Sequence, residues 1–311
     1  KSYLMKSLTK KIYLLDFLLA LVGYILFVVM DTIVKKLGDT YHVSQIILVN
    51  SLSALLPIFI FIQIRHRWGK IKTANLKIHF IRSVLMFGAM FSFIISVNHL
   101  SLVTIYSIVF VMPLLLTMGA NFFLNEKVGW RRYTAIIIGF IGVIVSVDPF
   151  HESFNKYAYL ALLVPVLVSI NWLIIKKYGE KENTYSFLIY GKLFLIIFSG
   201  IFALKYFVPM TTGDFLLNFN AGLVRGIGMI FILNSARHLP SSLFAPTHYI
   251  QIFAGALIGY LVFGDIPTLN NYLGNILIIG AGIYIIIREL TLSKKIVTNS
   301  TRPIIIPIKK E

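Results

Sequence analysis

The phrase IVKKLG at Ile33–Gly38 returns as IIKKYG at Ile174–Gly179. Each copy closes a long apolar run, and those runs govern how the whole chain is read. Of the 311 residues 58% are apolar and 13% charged, and mean hydropathy is +0.83. A water-soluble domain holds roughly 45–50% apolar residues, so this composition belongs to a membrane protein. A helix needs about 20 apolar residues to cross a hydrocarbon core about 30 Å thick. On that measure ten segments cross: 13–36, 43–64, 79–98, 101–124, 131–147, 157–177, 184–207, 215–236, 241–263 and 269–288. The expected fold class is an all-α membrane protein with ten transmembrane helices, and its short connections leave no room for a soluble enzyme domain.

Cysteine is absent, which removes disulfides, thiolate metal sites and cysteine nucleophiles together. Residues 1–12 begin KSYLMKSLTKK and read as a basic cytoplasmic segment. The run that follows is too long for a signal peptide and lacks a small-residue cleavage site, so it is expected to stay as the first helix. Residues 289–311 read as a basic cytoplasmic tail.

The net charge of +17 suggests nucleic acid until its distribution is mapped. With the N-terminus inside, 23 of the 29 basic residues fall on the cytoplasmic side, and only Lys35, Lys36, Lys156 and Lys205 fall outside. This is the positive-inside pattern, with both termini cytoplasmic and no nucleic-acid partner. Lys192 and Arg225 remain, both within predicted helices.

The repeated phrase has companions. His99-Leu100 opens a stretch that ends at Glu126, and His238-Leu239 opens one of the same length that ends at Asp265. Arg82 in the third segment is echoed by Arg225 in the eighth. All these pairs are separated by nearly the same interval, and that interval divides the chain into halves of five helices, 13–147 and 157–288. Because five is odd, the second half enters from the opposite side: KKLG ends its helix outside and KKYG inside. Inverted halves recur in secondary transporters, where the substrate site lies between them near the midplane.

The stretch RSVLMFGAMFSFIISVNHLSLVTIYSIVFVMPLLLTMGANFFLNEKVGWRRYTAIIIGFIGVIV, Arg82 to Val145, resembles the repeat unit of EamA-type carriers in the drug/metabolite transporter (DMT) superfamily. The shared features are Arg82, Pro113, the FFLNEKV ending and the glycine-rich helix after it. APTHYIQIFAGALIGYLVFGDIP, Ala245 to Pro267, matches more loosely. Over 13–288 the resemblance implies two inverted five-helix repeats, a bacterial inner-membrane location, and uptake or export of a small polar metabolite. Through DTIVKKLG and APxxY the chain is most similar to the branch that includes S-adenosylmethionine uptake carriers. That branch often carries an arginine in its second helix; here Asn50 stands there, and Lys192 occupies the equivalent place in the seventh.

Charges at bilayer depth are costly and usually face a cavity or a partner. Asp31 and Lys35, spaced i, i+4, share one face and are expected to form an ion pair near the outer mouth. Lys192 and Arg225 together outnumber Asp31, so a substrate carrying a carboxylate or phosphate balances the cavity. Beside Arg225, Gly222, Gly226 and Gly228 suit close packing or a local opening. In APTHYIQ, Pro246 loosens the helix start, His248 is a candidate proton carrier, and Tyr249 and Gln251 extend the polar cluster. Tyr106, Asn171 and Trp172 complete the candidate substrate site; each also reads as ordinary packing or an interhelical tie. Glu126 and Asp265 read as structural. Gly139, Gly142, Gly280 and Gly282 suit close packing, whether within one chain or in a homodimer; monomer and dimer fit equally.

No HExxH, GxSxG, Walker or paired-carboxylate arrangement occurs, which speaks against an enzyme or a primary pump, and no metal or cofactor is expected. A channel and a non-transporting scaffold are the alternatives to a carrier of amino acid, nucleoside-like or S-adenosylmethionine type. Efflux in place of uptake, and a proton or a counter-substrate as the coupling partner, stay open.

Overall fold

The computed structural model describes residues 2–123, 129–150, 154–178, 182, 184–239 and 244–299. Among these the regular structure is entirely helical. The first half contains α1 (Ser2–Gly38), α2 (Val43–Ile64), α3 (Leu76–His99), α4 (Leu102–Val109), α5 (Met112–Phe123) and α6 (Trp130–Val147). The second contains α7 (Tyr157–Tyr178), α8 (Thr184–Tyr206), α9 (Thr212–His238), α10 (Ile250–Phe263), preceded by a 3-10 turn at Ala245–Tyr249, and α11 (Leu269–Asn299).

Local chemistry sets the boundaries. Asn75, Ser101 and Thr211 each place a side-chain oxygen on a backbone N–H of the first turn that follows, so α3, α4 and α9 start on capped ends. At the other end of α10, Gly264 turns the chain with φ +70°, a left-handed value that a Cβ would strain.

Among the described residues eight helical spans, with Leu102–Phe123 counted as one, are long and apolar enough to cross a membrane, and Thr247–Phe263 and the apolar part of α11, Leu269–Ile285, are shorter. The outside of the bundle is greasy: Leu204, Phe122 and Leu261 are exposed. In water such a surface would cost about 25 cal/mol per Å², so it belongs against lipid. Conversely Ser44, Gln45, Asn50, Ser51 and Ser53 of α2 are all buried.

Three sequence expectations need correction. The fourth segment is broken at Phe110–Val111 into α4 and α5, because Pro113 has no N–H to give to Val109 and a new helix starts at Met112. The ninth begins as the Ala245–Tyr249 turn around Pro246, before regular helix sets in at Ile250. And the tenth does not stop at 288: α11 runs to Asn299, so part of the expected tail is helical. The Glu126 reading falls outside the described residues.

Packing between elements keeps its pattern when the halves are exchanged. α1 packs on α9, as α7 packs on α3; α2 packs on α9, as α8 on α3. The pairs α2 with α8, α6 with α11 and α4 with α10 map onto themselves. Where α6 crosses α11, a Cβ on Gly142 would lie 2.8 Å from the Gly274 carbonyl oxygen, and one on Gly274 would collide with Gly142 in return. The two broken helices also meet at the centre: Phe110, at the break, stacks on Tyr249, at the end of the 3-10 turn, with ring centroids 5.2 Å apart. Irregular backbone at membrane depth occurs where it is buried in protein or lines a cavity.

Candidate functional site

On α1, Tyr24, Val28, Asp31 and Lys35 recur at helical spacing and form one stripe turned toward α10 and, through Asp31, toward Tyr106 of α4. The polar members each have a partner. Tyr24 Oη and His248 Nε2 share a 2.5 Å hydrogen bond. Two turns on, the Tyr106 hydroxyl donates to Asp31 Oδ2 at 2.7 Å. Last, Lys35 Nζ donates to Asp265 Oδ2 at 3.1 Å and to the Leu100 carbonyl at 3.0 Å, and sits 4.5 Å from the centre of the Phe263 ring. The expected Asp31–Lys35 pair therefore does not form: Lys35 reaches across to the second half, and Asp31 turns inward.

Asp31 is the acidic centre of a cluster drawn from five helices. Arg225 on α9 interacts electrostatically with Asp31, and Lys192 on α8 with Arg225. Among the described residues an ion pair closes at Lys35–Asp265, His79 Nε2 lies 3.4 Å from Glu182 Oε2, and Asp31 with Arg225 makes no such contact. The guanidinium instead places Nη2 3.3 Å from the sulfur of Met90, a weak acceptor. Lys192 makes no hydrogen bond among the described residues. Both cations are partly accessible although packed within the bundle, as expected of side chains lining an internal space. Arg225 thus stands between the Asp31 carboxyl and the Lys192 amine, and neither basic side chain has a strong hydrogen-bond acceptor among the described residues.

Tyr106 is buried, and its ring lies against Gly255 of α10, where a Cβ would come within 2.5 Å of the ring edge. Tyr249 reaches α11 at Gly282, whose missing side chain leaves room for the phenol. Thus Asp31, Tyr106, Arg225 and Lys192 come together, with His248 and Tyr249 beside them along α1 and α4. Three sequence candidates do not join. The Asn171 side-chain oxygen accepts from Arg82 Nε at 3.0 Å, in a separate cluster where Arg82 also lies 4.4 Å over the Phe187 ring. Trp172 and Gln251 are partly buried and make neither hydrogen bonds nor ring contacts among the described residues.

Sequence reasoning missed Tyr24, Met90 and Phe110. Tyr24 was within reach, since it stands two helical turns before Asp31 on the same stripe. Phe110 carries a weaker signal, just ahead of Pro113. Nothing in the sequence marks Met90.

The ends of the helices are tied by polar contacts that again repeat between halves. Glu182, before α8, accepts from Thr73 Oγ1 at 2.9 Å and from the N–H groups of Ala74 and Asn75 at 3.0 and 2.8 Å, at the start of α3. Burial pushes this carboxyl up, but hydrogen bonds from Thr73, His79, Asn75 and Ser186 outweigh it and hold its pKa below the usual range. Tyr41, before α2, donates to Asp214 at 2.8 Å and accepts from Thr211 N–H at the start of α9.

A sequence model of the EamA-like transporter family matches residues 14–147 and again 155–288. The chain is 28% identical over 272 residues to a protein of Rickettsia bellii named S-adenosylmethionine uptake transporter, covering 86% of this chain and 91% of that one. It is 23% identical to the pseudopaline exporter of Pseudomonas aeruginosa, over 85% of this chain and 93% of that one. A riboflavin transporter of Vibrio cholerae is 29% identical over 172 residues, 54% of this chain and 56% of that one. One crystal structure of a protein superposes with a TM-score of 0.61 over 87% of this chain and 98% of its own, at 12% identity, a likeness of fold. The chain belongs to the EamA-like transporter family: it is a multi-pass membrane transporter and not an enzyme.

Proposed function

We propose that this EamA-family transporter is a secondary-active carrier of a small polar metabolite bearing a carboxylate, bound at Arg225 and Lys192 between the halves. The observation that carries the reading is the inventory of the cluster, two basic side chains to the one acid Asp31, with a thioether as the hydrogen-bond acceptor Arg225 finds among the described residues. A guanidinium grips a carboxylate with two parallel hydrogen bonds, and a sulfur is a poor substitute for either oxygen. Tyr106 holds Asp31 so that it shares Arg225 without closing on it, and an arriving carboxylate competes for the same cation. Tyr249 and Phe110, stacked at the two helix breaks, offer an aromatic wall for a ring.

In this reading the chain crosses the membrane ten times, in two inverted five-helix repeats with both termini in the cytoplasm of a bacterium. Exchange-invariant packing and the lysine and arginine distribution support it. Access alternates as the halves rock about the contacts that map onto themselves. Amino acids, S-adenosylmethionine and those nucleoside-like compounds that carry a carboxylate fit the charge requirement, and the names of the Rickettsia relatives favour S-adenosylmethionine and favour uptake.

The test is thermal stabilisation of the purified chain by a panel of S-adenosylmethionine, amino acids, nucleosides, riboflavin and sugar phosphates, because a ligand of the folded state raises the melting temperature. Carboxylate-bearing compounds are expected to stabilise the native chain and not Arg225→Ala. Stabilisation by riboflavin or a neutral nucleoside alone would overturn the carboxylate reading. Counterflow in proteoliposomes then separates a carrier, whose labelled substrate overshoots, from a channel, whose does not.

A further inference from the structure

Between α6 and α11 runs a groove of about 360 Å³ that shares no residue with the charged cluster. Its walls are Trp130, Arg131 and Ile138 on α6, and Ile276, Gly280 and Tyr284 on α11. The helices run antiparallel here, so Trp130 and Arg131 stand at the Tyr284 end and Ile138 at the Ile276 end. Two turns of helix and a little more make the slot about 12 Å long. Its floor is open at Gly280, where an added Cβ would meet nothing within 4 Å. Gly139, Gly142 and Gly282, by contrast, are filled from inside the same chain by Leu114, Leu277 and Tyr249. The glycines of these helices thus divide: with Gly274, which meets Gly142 and Ser146, four are internal packing points, and Gly280 faces outward.

The ends of the slot differ in chemistry. One is aliphatic. The other carries two exposed aromatic rings, Trp130 and Tyr284, of the kind that sit at headgroup level, together with Arg131. Arg288 stands one turn beyond Tyr284 on the same stripe of α11. Arg131 lies 5.5 Å from the Trp130 ring and, like Arg288, has no ion-pair partner among the described residues. No acidic residue lines the slot among the described residues.

We propose that this groove is a binding site for one anionic phospholipid, its phosphate at Arg131 and Arg288 and an acyl chain laid along Gly280 toward Ile276. Charge decides against a second copy of the chain. In a two-fold dimer inserted the same way, this face would bring four arginines to one depth with no carboxylate among the described residues that line it, and like charges brought together are strongly unfavourable. A lipid phosphate supplies the missing sign, and basic side chains at a membrane surface attract anionic lipid additively. The proposal rests on the membrane placement of the chain and not on its substrate or direction.

The experiment is native mass spectrometry of the full-length chain released from vesicles of equal phosphatidylglycerol and phosphatidylethanolamine. The native chain is expected to retain one phosphatidylglycerol in clear preference. Arg131→Gln with Arg288→Gln should weaken that retention about 30-fold. Gly280→Trp, which enters open space and leaves the fold intact, should exclude the lipid by filling the slot. Equal retention of both lipids, or phosphatidylglycerol unchanged in both variants, overturns the site. A dimer of the native chain that Gly280→Trp dissolves also overturns it and gives the face to a second copy.

Discussion

Arg82 and Arg225 hold equivalent places in the two halves, and each faces the first helix of the other half. Their partners are equivalent too: Asn171 stands just ahead of IIKKYG on α7, as Asp31 stands just ahead of IVKKLG on α1. Arg82 is buried and closes on its partner at 3.0 Å, with a phenyl ring beneath it. Arg225 stays partly accessible and does not close on its own, although that partner is a carboxylic acid. A duplicated scaffold thus holds one arginine bonded to its partner across the halves and one that is not, and the difference lies in the surroundings. Asp31 is held back by Tyr106, and Lys192 adds a second cation for which the first half has only Asn50. One arginine ties helices together; the other is available to a ligand.

That contrast can be broken by experiment. The largest effect belongs to Arg225→Ala, which should weaken binding of the stabilising carboxylate about 30-fold or more in isothermal titration, the scale of removing one partner from a desolvated charge pair. Folding should survive, because the contact Arg225 gives up is a weak one to sulfur. Arg82→Ala should do the reverse, leaving Asn171 without its donor and lowering stability by about 2 kcal/mol, read as a lower melting temperature at unchanged ligand affinity. If Arg82→Ala abolishes binding and Arg225→Ala only destabilises, the roles are exchanged and the proposed site moves. Asp31→Asn sharpens the comparison by writing the second half's partner into the first. Without a competing carboxylate, Arg225 should bind an anion about tenfold more tightly, by the size of a close opposite charge's influence. Counterflow should slow because the ligand leaves more slowly.

The smallest effect concerns the ends. The Glu182 carboxyl is held below its ordinary pKa, so it contributes stability that is fully present above the unfolded value of about 4.3 and is lost as pH falls through the folded one. Melting temperature should therefore fall on acidification below about pH 4.5 in the native chain, and less steeply in Glu182→Gln. An identical acid profile in both would remove Glu182 from the account.

Much of the architecture was legible in the sequence because a bilayer imposes length. Apolar runs long enough to span the hydrocarbon and the twice-written KKxG mark helices and halves with few alternatives. Pro113 and Pro246 announced irregular backbone, although neither told that the two breaks would stack through Phe110 and Tyr249. The candidate site was legible in its charges and not in its pairings. Asp31 and Lys35 share a helical face, and spacing alone favoured pairing them. Tertiary packing instead offered Lys35 an acid from the far end of the chain and gave Asp31 a phenol. Asn171 looked like a ligand residue because nothing in its own segment explains it; its explanation is Arg82, far back in the other half.

The crossing of Gly142 and Gly274 constrains history as well as shape. At that point the backbones of the two halves lie so close that no side chain fits on either. Residues lining a carrier's interior can drift as its cargo changes, and EamA relatives named for quite different compounds share this scaffold. These two positions have no such freedom, since any replacement in one half must be accommodated by a shift in the other. A collection of relatives sorted by cargo should therefore vary at the places equivalent to Lys192 and Met90 while keeping glycine at this crossing, even where little else of the sequence is shared.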